Sequence, residues 1–462
     1  MARSNLRAPV GGPGLSDGTS FSDLIDINAH GVSARALMDP EVWELELRTV
    51  WVKNWVFVAH ESEIPSAGDF VQRQIGIDPV IVSRDSDSTI HVLLNVCSHR
   101  GGQVCRPDAG NAQTFTCPYH GWLYGNDGSL LGVPLEREMY KGRLQKQSLG
   151  LRSARVAIYH GLIFAVWDPE APSFEEFLGD FKFYSDMVFG PTEGGWEVAG
   201  PPQRWIINVN WKIPAENFTG DAYHAINVHL SETEAGRVSS DIAYKSQWGV
   251  NITEPRFGHG GRCTQTIGVS VEAEADLAAL LSGLYPGIPR ELHDQIKERL
   301  SPAQFELVRA AAIPIVGTIF PNFTFMVGGV PYTVDGPPEP AATIRTWNPC
   351  SPNSVEVVSW PLVQRDAPDA MKDRGRQALA YSFGSSGTLE QDDSEAWSQI
   401  QRGIRGAKGR HQWLLYNSTE PPSKENWLGD EPWPGPGEVR HGFSTDDNQW
   451  NWWVRWYECV TS

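Results

Sequence analysis

The residues best able to do chemistry lie in two short stretches. The first is NVCSHRGGQVCRPDAGNAQTFTCPYHGW, residues 95–122. It sets Cys97 and His99 one residue apart and then, seventeen residues later, Cys117 and His120. Thiolates suit zinc or iron–sulfur clusters, and imidazoles suit zinc, copper or iron. A structural zinc site of two cysteines and two histidines usually takes its cysteines early and its histidines late. Here each half supplies one of each, which fits a two-iron cluster with thiolates on one iron and imidazoles on the other. Zinc is the lesser alternative. Glycines and prolines in the run suit tight loops that bring backbone N–H groups close to cluster sulfurs.

The second stretch is ENFTGDAYHAINVHLS, residues 216–231, with His224, His229 and Asp221. Two histidines and one carboxylate with open positions are a non-haem Fe(II) arrangement for oxygen chemistry. Asp221 and His224 stand at i, i+3, hence are neighbours on a helix. His224 and His229 are five residues apart, about 140° around an ideal helix. Joint ligation therefore calls for a π-bulge or a break in the helix, and Gly220 lies nearby to help. Glu216, Asp221, Asp392 and Asp393 compete for the carboxylate position, and spacing alone favours Asp221.

The elements that must position these residues read as an α+β chain. Residues 39–55 have a helix pattern with Asp39 as N-cap and Pro40 in the first turn. From 56 to 166, short β-like runs (PVIVSR, TIHVLLNV, GLIFAVW) alternate with turn residues, predicting a small antiparallel β domain around the first stretch. Residues 171–190 open a second domain with helix. Strand signals at 342–348 and 354–363 are flanked by helical patterns at 290–312, 366–382 and 389–405. The expectation is a catalytic domain with a twisted antiparallel sheet flanked by helices, helix-grip-like in type. The expected divisions are a flexible leader over 1–20, an N-terminal helical segment over 21–55 packing on the catalytic domain, a cluster domain over 56–166 and a catalytic domain over 167–462. Trp427, Trp433, Trp450, Trp452, Trp453 and Trp456 crowd the C-terminal tail and read as core or interface packing.

Composition narrows the function classes. A chain of 462 residues with 40% hydrophobic residues has material for two or three domains. A formal net charge of −18 argues against nucleic acid or an anionic membrane as partner. The N-terminus lacks an apolar h-region, and there is no apolar run long enough to span a bilayer. With only six cysteines, the expected setting is a reducing cytoplasm and the expected role of clustered cysteines is metal binding.

The first stretch, C-x-H-x17-C-x-x-H followed by Gly-Trp, resembles the Rieske [2Fe–2S] motif, with Cys97, His99, Cys117 and His120 as cluster ligands. High-potential Rieske proteins carry two further cysteines that staple the ligand loops. Their places here are Gly102 and Tyr119, and Cys105 matches neither. The likeness is thus to the unstapled cluster of oxygenases.

The second stretch resembles the E-N-F-x-G-D-A-Y-H-x4-H motif of naphthalene-type ring-hydroxylating dioxygenase α subunits, those of actinobacterial naphthalene and polycyclic-aromatic enzymes above all. WVFVAHESEIPSAGDFV, PQRWIINVNWK and TIFPN extend the likeness to roughly residues 40–455. In that family the iron carboxylate lies downstream, in a motif matched here by FGSSGTLEQDD, residues 383–393. The resemblance implies that His224, His229 and Asp393 hold a mononuclear Fe(II), with Asp392 as the alternative. It implies that Asp221 bridges His224 to a Rieske histidine of a neighbouring subunit, and that Asn217 lies near the metal's open side. Phe218, Val316, Met326, Phe383 and Leu389 are the pocket expectation for a small aromatic substrate. Thr388–Leu389 stands where proteobacterial naphthalene enzymes carry an apolar aromatic, so the pocket is expected to differ in shape.

The implied reaction is cis-dihydroxylation of an aromatic ring by O2, with electrons from NAD(P)H. No G-x-G-x-x-G follows a strand pattern, so a separate reductase and ferredoxin are expected to carry those electrons. A small β subunit and an α3 or α3β3 assembly are also implied. Residues 136–155 carry six Lys/Arg against two Glu and are the expected ferredoxin face. A Rieske monooxygenase or demethylase with the same metals is the alternative. An electron carrier with a dead iron site is the reading from another class.

Overall fold

The computed structural model describes residues 14–236, 249–264, 274–330, 339–425, 431–442 and 444–462. Trp427 lies outside them. The predicted first helix is Pro40–Lys53, and Asp39 caps it by accepting the Glu41 N–H at 3.0 Å. Of the expected leader, residues 1–13 lie outside the described residues; in residues 14–20, Leu15 is buried, Ser16 bonds the Glu41 carboxylate, and Asp17 pairs with Arg35 at 2.8 Å.

The cluster-bearing region is built on three small antiparallel sheets. One has the order Ile90–Leu94, Asp78–Arg84, Asp69–Ile75, Ala109–Asn111. The second runs Leu130–Gly132, Leu123–Gly125, Thr114–Thr116, and the third Arg155–Tyr159, Leu162–Val166, Val56–His60. The period-2 alternation of a strand sorts two cores. In Asp78–Arg84, Ile81 joins Phe70, Leu93, Cys97, Cys117 and Trp122, while Val80 and Val82 join the main core on the other side.

The catalytic region is organised by a nine-stranded antiparallel sheet. Its order is Trp196–Val198, Ser354–Gln364, Glu339–Ser351, Phe323–Val330, Pro314–Ile319, His259–Thr264, Gly249–Glu254, Glu438–His441, with Gln203–Ile207 also paired to Ser354–Gln364. The helix Asp447–Thr461 packs against Gly249–Glu254 and His259–Thr264 and brings Trp452, Trp453 and Trp456 into the core, as the tail composition led one to expect. Trp433 is buried too, and Trp450 is partly buried.

A buried charge pair anchors the helix that leads into the second metal-type stretch. Glu46 and Lys212 are fully buried, with Nζ to Oε1 at 2.5 Å. Trp211 and Trp456 donate their indole N–H groups to the same carboxylate at 2.9 and 2.8 Å. Three helices, Pro40–Lys53, Lys212–Asn217 and Asp447–Thr461, thus meet on Glu46. Glu46→Leu would leave Lys212 charged and unpaired in the core, a loss of about 3–5 kcal/mol. Chemical denaturation should show that loss as a lower midpoint.

Candidate functional site

The sequence from Lys212 to Glu234 does not make one helix. It breaks into Lys212–Asn217, Ala225–Val228 and Leu230–Glu234. The break satisfies the angular argument, and no π-bulge is used. Gly220 makes the turn at φ 141°, where a side chain would collide with the Asn448 amide. That amide bonds the Thr219 and Gly261 carbonyls at 2.9 and 3.0 Å and ties the turn to the sheet. His229 sits at the junction of the last two short helices, turned back toward His224 at a ring separation of 5.2 Å.

The carboxylate arrives from the helix Thr388–Ile404. Leu389, Asp393, Trp397 and Gln401 form its buried i, i+4 stripe, so helical periodicity aims Asp393 inward. Its Oδ1 lies 3.4 Å from His224 Nε2 and 3.3 Å from His229 Nε2, and the three residues offer ligand atoms within 4.8 Å of one another. Asp393 Oδ1 is buried and has no hydrogen-bond partner. Two imidazole nitrogens converging on an unpartnered buried carboxylate oxygen are a donor set that a divalent iron satisfies.

The competing carboxylates are engaged elsewhere. Asp392 accepts from Ser231 Oγ at 2.6 Å and stands 3.7 Å from His229 Nδ1. Asp221 accepts the N–H groups of Tyr223 and His224 and lies 3.3 Å from His224 Nδ1, behind the ring rather than at Nε2. The preference for Asp221 from spacing alone therefore does not match the geometry. Glu216 accepts from Tyr416 Oη at 3.0 Å, and burial together with the charge of Asp221 pushes its carboxyl well up. Asn217 sets its amide 3.0 Å from Asp221 Oδ2 and 3.3 Å from His224 Nδ1. Burial pushes His224 down, but Asp221 and Asp393 outweigh it and raise the imidazole to about 10. The field that favours a proton there equally favours a cation.

Of the five residues expected to line a pocket, two lie on the sheet and three on or beside the helices that flank it. Val316 and Met326 are register partners. Phe218 packs with Val316 in the main core, Phe383 with Leu389 in a smaller cluster, and Met326 touches both. An apolar cleft lined by Met187, Trp196, Tyr285 and Val327 contains none of the five.

The first stretch folds into two loops with matching hydrogen bonds. Cys97 N–H donates to the Gly102 carbonyl and Gly101 N–H to the Cys97 carbonyl, at 2.8 and 2.9 Å. Cys117 N–H donates to the Trp122 carbonyl and Gly121 N–H to the Cys117 carbonyl, at the same two distances. Gly101 and Gly121 take φ 77° and 72°, which favours glycine at the turn of each loop. The loops face each other: the His99 and His120 rings are 4.6 Å apart, and Trp122 stacks on His99 at 4.9 Å. Cys97 and Cys117 are buried and unbridged, and His99 Nδ1 is buried without a partner. Paired thiolates and imidazoles on facing loops fit a two-iron cluster with nitrogen ligands on one iron.

Cys105 is a free buried thiol, pushed up to about 11 by burial. Beside it, Asn95 Oδ1 accepts the N–H groups of Val104 and Cys105 at 3.0 and 2.9 Å and fixes the outgoing loop. Nothing in the sequence marks Asn95, or Tyr124, whose hydroxyl lies 3.2 Å from Cys97 Sγ. A tyrosine on a short buried strand carried no signal to set it apart from core.

Fold and site together define a class. Residues 54–153 match the Rieske [2Fe-2S] domain family and residues 184–425 the ring hydroxylating alpha subunit (catalytic domain) family, so the chain belongs to the ring-hydroxylating oxygenase α subunits. It is 38% identical to naphthalene 1,2-dioxygenase from Rhodococcus sp., solved bound to indole, with a TM-score of 0.83 over 93% of this chain and 94% of that one. It is 35% identical to chlorobenzene dioxygenase subunit alpha of Cupriavidus sp. (strain PS12), over 95% of this chain and 93% of that protein. It is also 35% identical to N,N-dimethyl phenylurea N-demethylase subunit alpha of Sphingobium sp. (strain YBL2), over 97% and 96%. The family carries a Rieske cluster and a mononuclear iron and acts in multicomponent oxygenases. Among the described residues, no helix is long and apolar enough to cross a membrane.

Proposed function

We propose that this chain is the terminal oxygenase large subunit of a dioxygenase that inserts both atoms of O2 into an aromatic ring as a cis-diol. The observation that carries the reading is the convergence of His224, His229 and Asp393 in a chain that also bears the paired loops of Cys97/His99 and Cys117/His120. When bound, the cluster supplies single electrons and the mononuclear Fe(II) supplies O2 activation. Cys97, Cys117, His99 and His120 hold the former, and His224, His229 and Asp393 the latter. Asp221 fixes the tautomer and orientation of His224 from behind, with Asn217 holding Asp221. Phe218, Val316, Met326, Phe383 and Leu389 present an apolar face to the arene and exclude water. The division into a cluster domain over 56–166 and a catalytic domain over 167–462 belongs to the same reading.

Electrons come from NAD(P)H through a separate reductase and ferredoxin. Among the described residues no hydrogen bond or ion pair joins the two sets of ligands. Each set borders a large exposed aromatic, Tyr119 beside His120 and Tyr223 beside His224. That supports transfer between subunits through Asp221 in an α3 or α3β3 ring with a small β subunit. In the basic segment, Lys146 pairs with Glu136 at 3.1 Å and Arg155 bonds the Pro169 and Ala171 carbonyls. Lys141 and Arg143 remain exposed with no carboxylate partner among the described residues. Reversing both charges should slow reduction by ferredoxin at low salt, and added salt should narrow the gap to wild type. Reversal at Lys146 should do less. Stopped-flow reduction checks both.

The demethylase relative favours a second reading, oxidation with one oxygen atom retained in product. Incubation with ¹⁸O2 and naphthalene, phenanthrene or biphenyl separates them. A diol carrying both labelled atoms supports the proposal, and a product carrying one labelled atom from each of these arenes sinks it.

A further inference from the structure

Arg345, on the strand Glu339–Ser351, is wholly buried. Its Nη1 lies 2.5 Å from Glu390 Oε2, and its Nη2 donates to the Phe383 carbonyl at 2.5 Å. The two partners flank the connection between the helices Asp369–Ser382 and Thr388–Ile404: Phe383 ends the first and Glu390 lies in the first turn of the second. Glu390 is three residues, about one turn, before Asp393. The guanidinium carbon also sits 5.1 Å from the Phe218 ring and 5.5 Å from the Phe383 ring. Phe218 belongs to the stretch that carries His224 and His229. Arg345 therefore touches both segments that bring ligands to the metal-type site, and two walls of the proposed pocket.

Stability alone gives no reason for such a pair. A buried ion pair pays heavily in desolvation, and well-packed apolar residues often replace one without loss. What it does supply is direction. A planar guanidinium has donors in a fixed fork, so bonding two points at once fixes their relative position.

We propose that Arg345 and Glu390 are positioning residues for the mononuclear centre and the pocket. They hold Asp393 in register with His224 and His229, and set the angle of the wall formed by Phe218, Phe383 and Leu389, which decides the orientation in which an unsymmetrical arene is presented. The inference rests on the reading of Asp393 as a metal-binding residue and of those apolar residues as pocket lining. Groups that orient metal-binding side chains typically contribute about 10–100-fold to metal affinity.

The test is an isosteric replacement, Arg345→Met with Glu390→Leu, beside Arg345→Lys and Asp393→Ala. Fe(II) or Co(II) is titrated anaerobically into protein whose mononuclear centre has been stripped and whose cluster is intact. Product isomers from phenanthrene are also measured. The expected result is a double variant that unfolds within a few degrees of wild type, binds the metal about tenfold or more weakly, and gives a changed isomer ratio. Arg345→Lys, which keeps the charge and one bond, should recover much of the affinity. Wild-type affinity and an unchanged isomer ratio in the double variant overturn the proposal. If the double variant does not fold, Glu390→Gln, which keeps the shape and removes the charge, is read by the same two measurements. Asp393→Ala separates the causes: if it too binds metal like wild type, the reading of the site has failed, and the positioning role with it.

Discussion

Asp393→Ala should empty the mononuclear centre and leave the Rieske centre whole. The carboxylate oxygen at 3.3–3.4 Å from both histidine Nε2 atoms is buried and unpartnered, so no neighbouring hydrogen bond compensates for its loss. Asp392 does not take its place, because Ser231 holds it and the helix points it away from Nε2 of His224. Iron analysis should fall from about three atoms per chain to about two. The paramagnetic signal of the reduced cluster should persist. Product formation should drop by about 10³-fold or more, because groups that act as a unit fail together. Iron held at wild-type level would return the choice among Glu216, Asp221 and Asp392.

Asp221→Asn should do the opposite to iron and a similar thing to rate. Asp221 lies against His224 Nδ1, the nitrogen turned away from Asp393, and receives two backbone N–H bonds that start the Ala225–Val228 helix. Asparagine keeps a carbonyl oxygen for those bonds but removes the charge that orients the imidazole and, in the proposed assembly, joins it to the next subunit's cluster. Both metals should stay bound, while turnover falls by about 100-fold. Pre-steady-state kinetics should place the loss in cluster reoxidation. Loss of mononuclear iron in this variant would mean that Asp221 is a ligand.

The local signals in the sequence were strong where one residue type has one physical use. Asp39-Pro40 marked the start of the helix Pro40–Lys53, and the β-like run PVIVSR, set between turn residues, marked the strand Asp78–Arg84. The five-residue gap between His224 and His229 called for a π-bulge or a break in the helix if both are to face one site, and the chain uses a break. The choice of carboxylate was less legible, because Asp393 comes from a helix far along the chain and sequence distance says nothing about which helix face meets the histidines. The buried i, i+4 stripe of Leu389, Asp393, Trp397 and Gln401 supplies that answer. Glu46–Lys212 and Arg345–Glu390 were invisible for the same reason: a charged residue in a helix or strand pattern reads as solvated until its partner is placed in space. A polar, glycine-containing run gives no sign that its one leucine, Leu15, is buried against the fold.

Turnover depends on one centre feeding electrons to the other. The most direct measurement is the low-temperature EPR spectrum of the chemically reduced protein, taken before and after mixing with O2 and an aromatic substrate, without reductase or ferredoxin. A Rieske-type signal should disappear as product forms in the wild-type chain and persist in Asp393→Ala. A protein that shows no such signal on reduction, or one whose signal is lost equally fast in Asp393→Ala, would contradict that dependence.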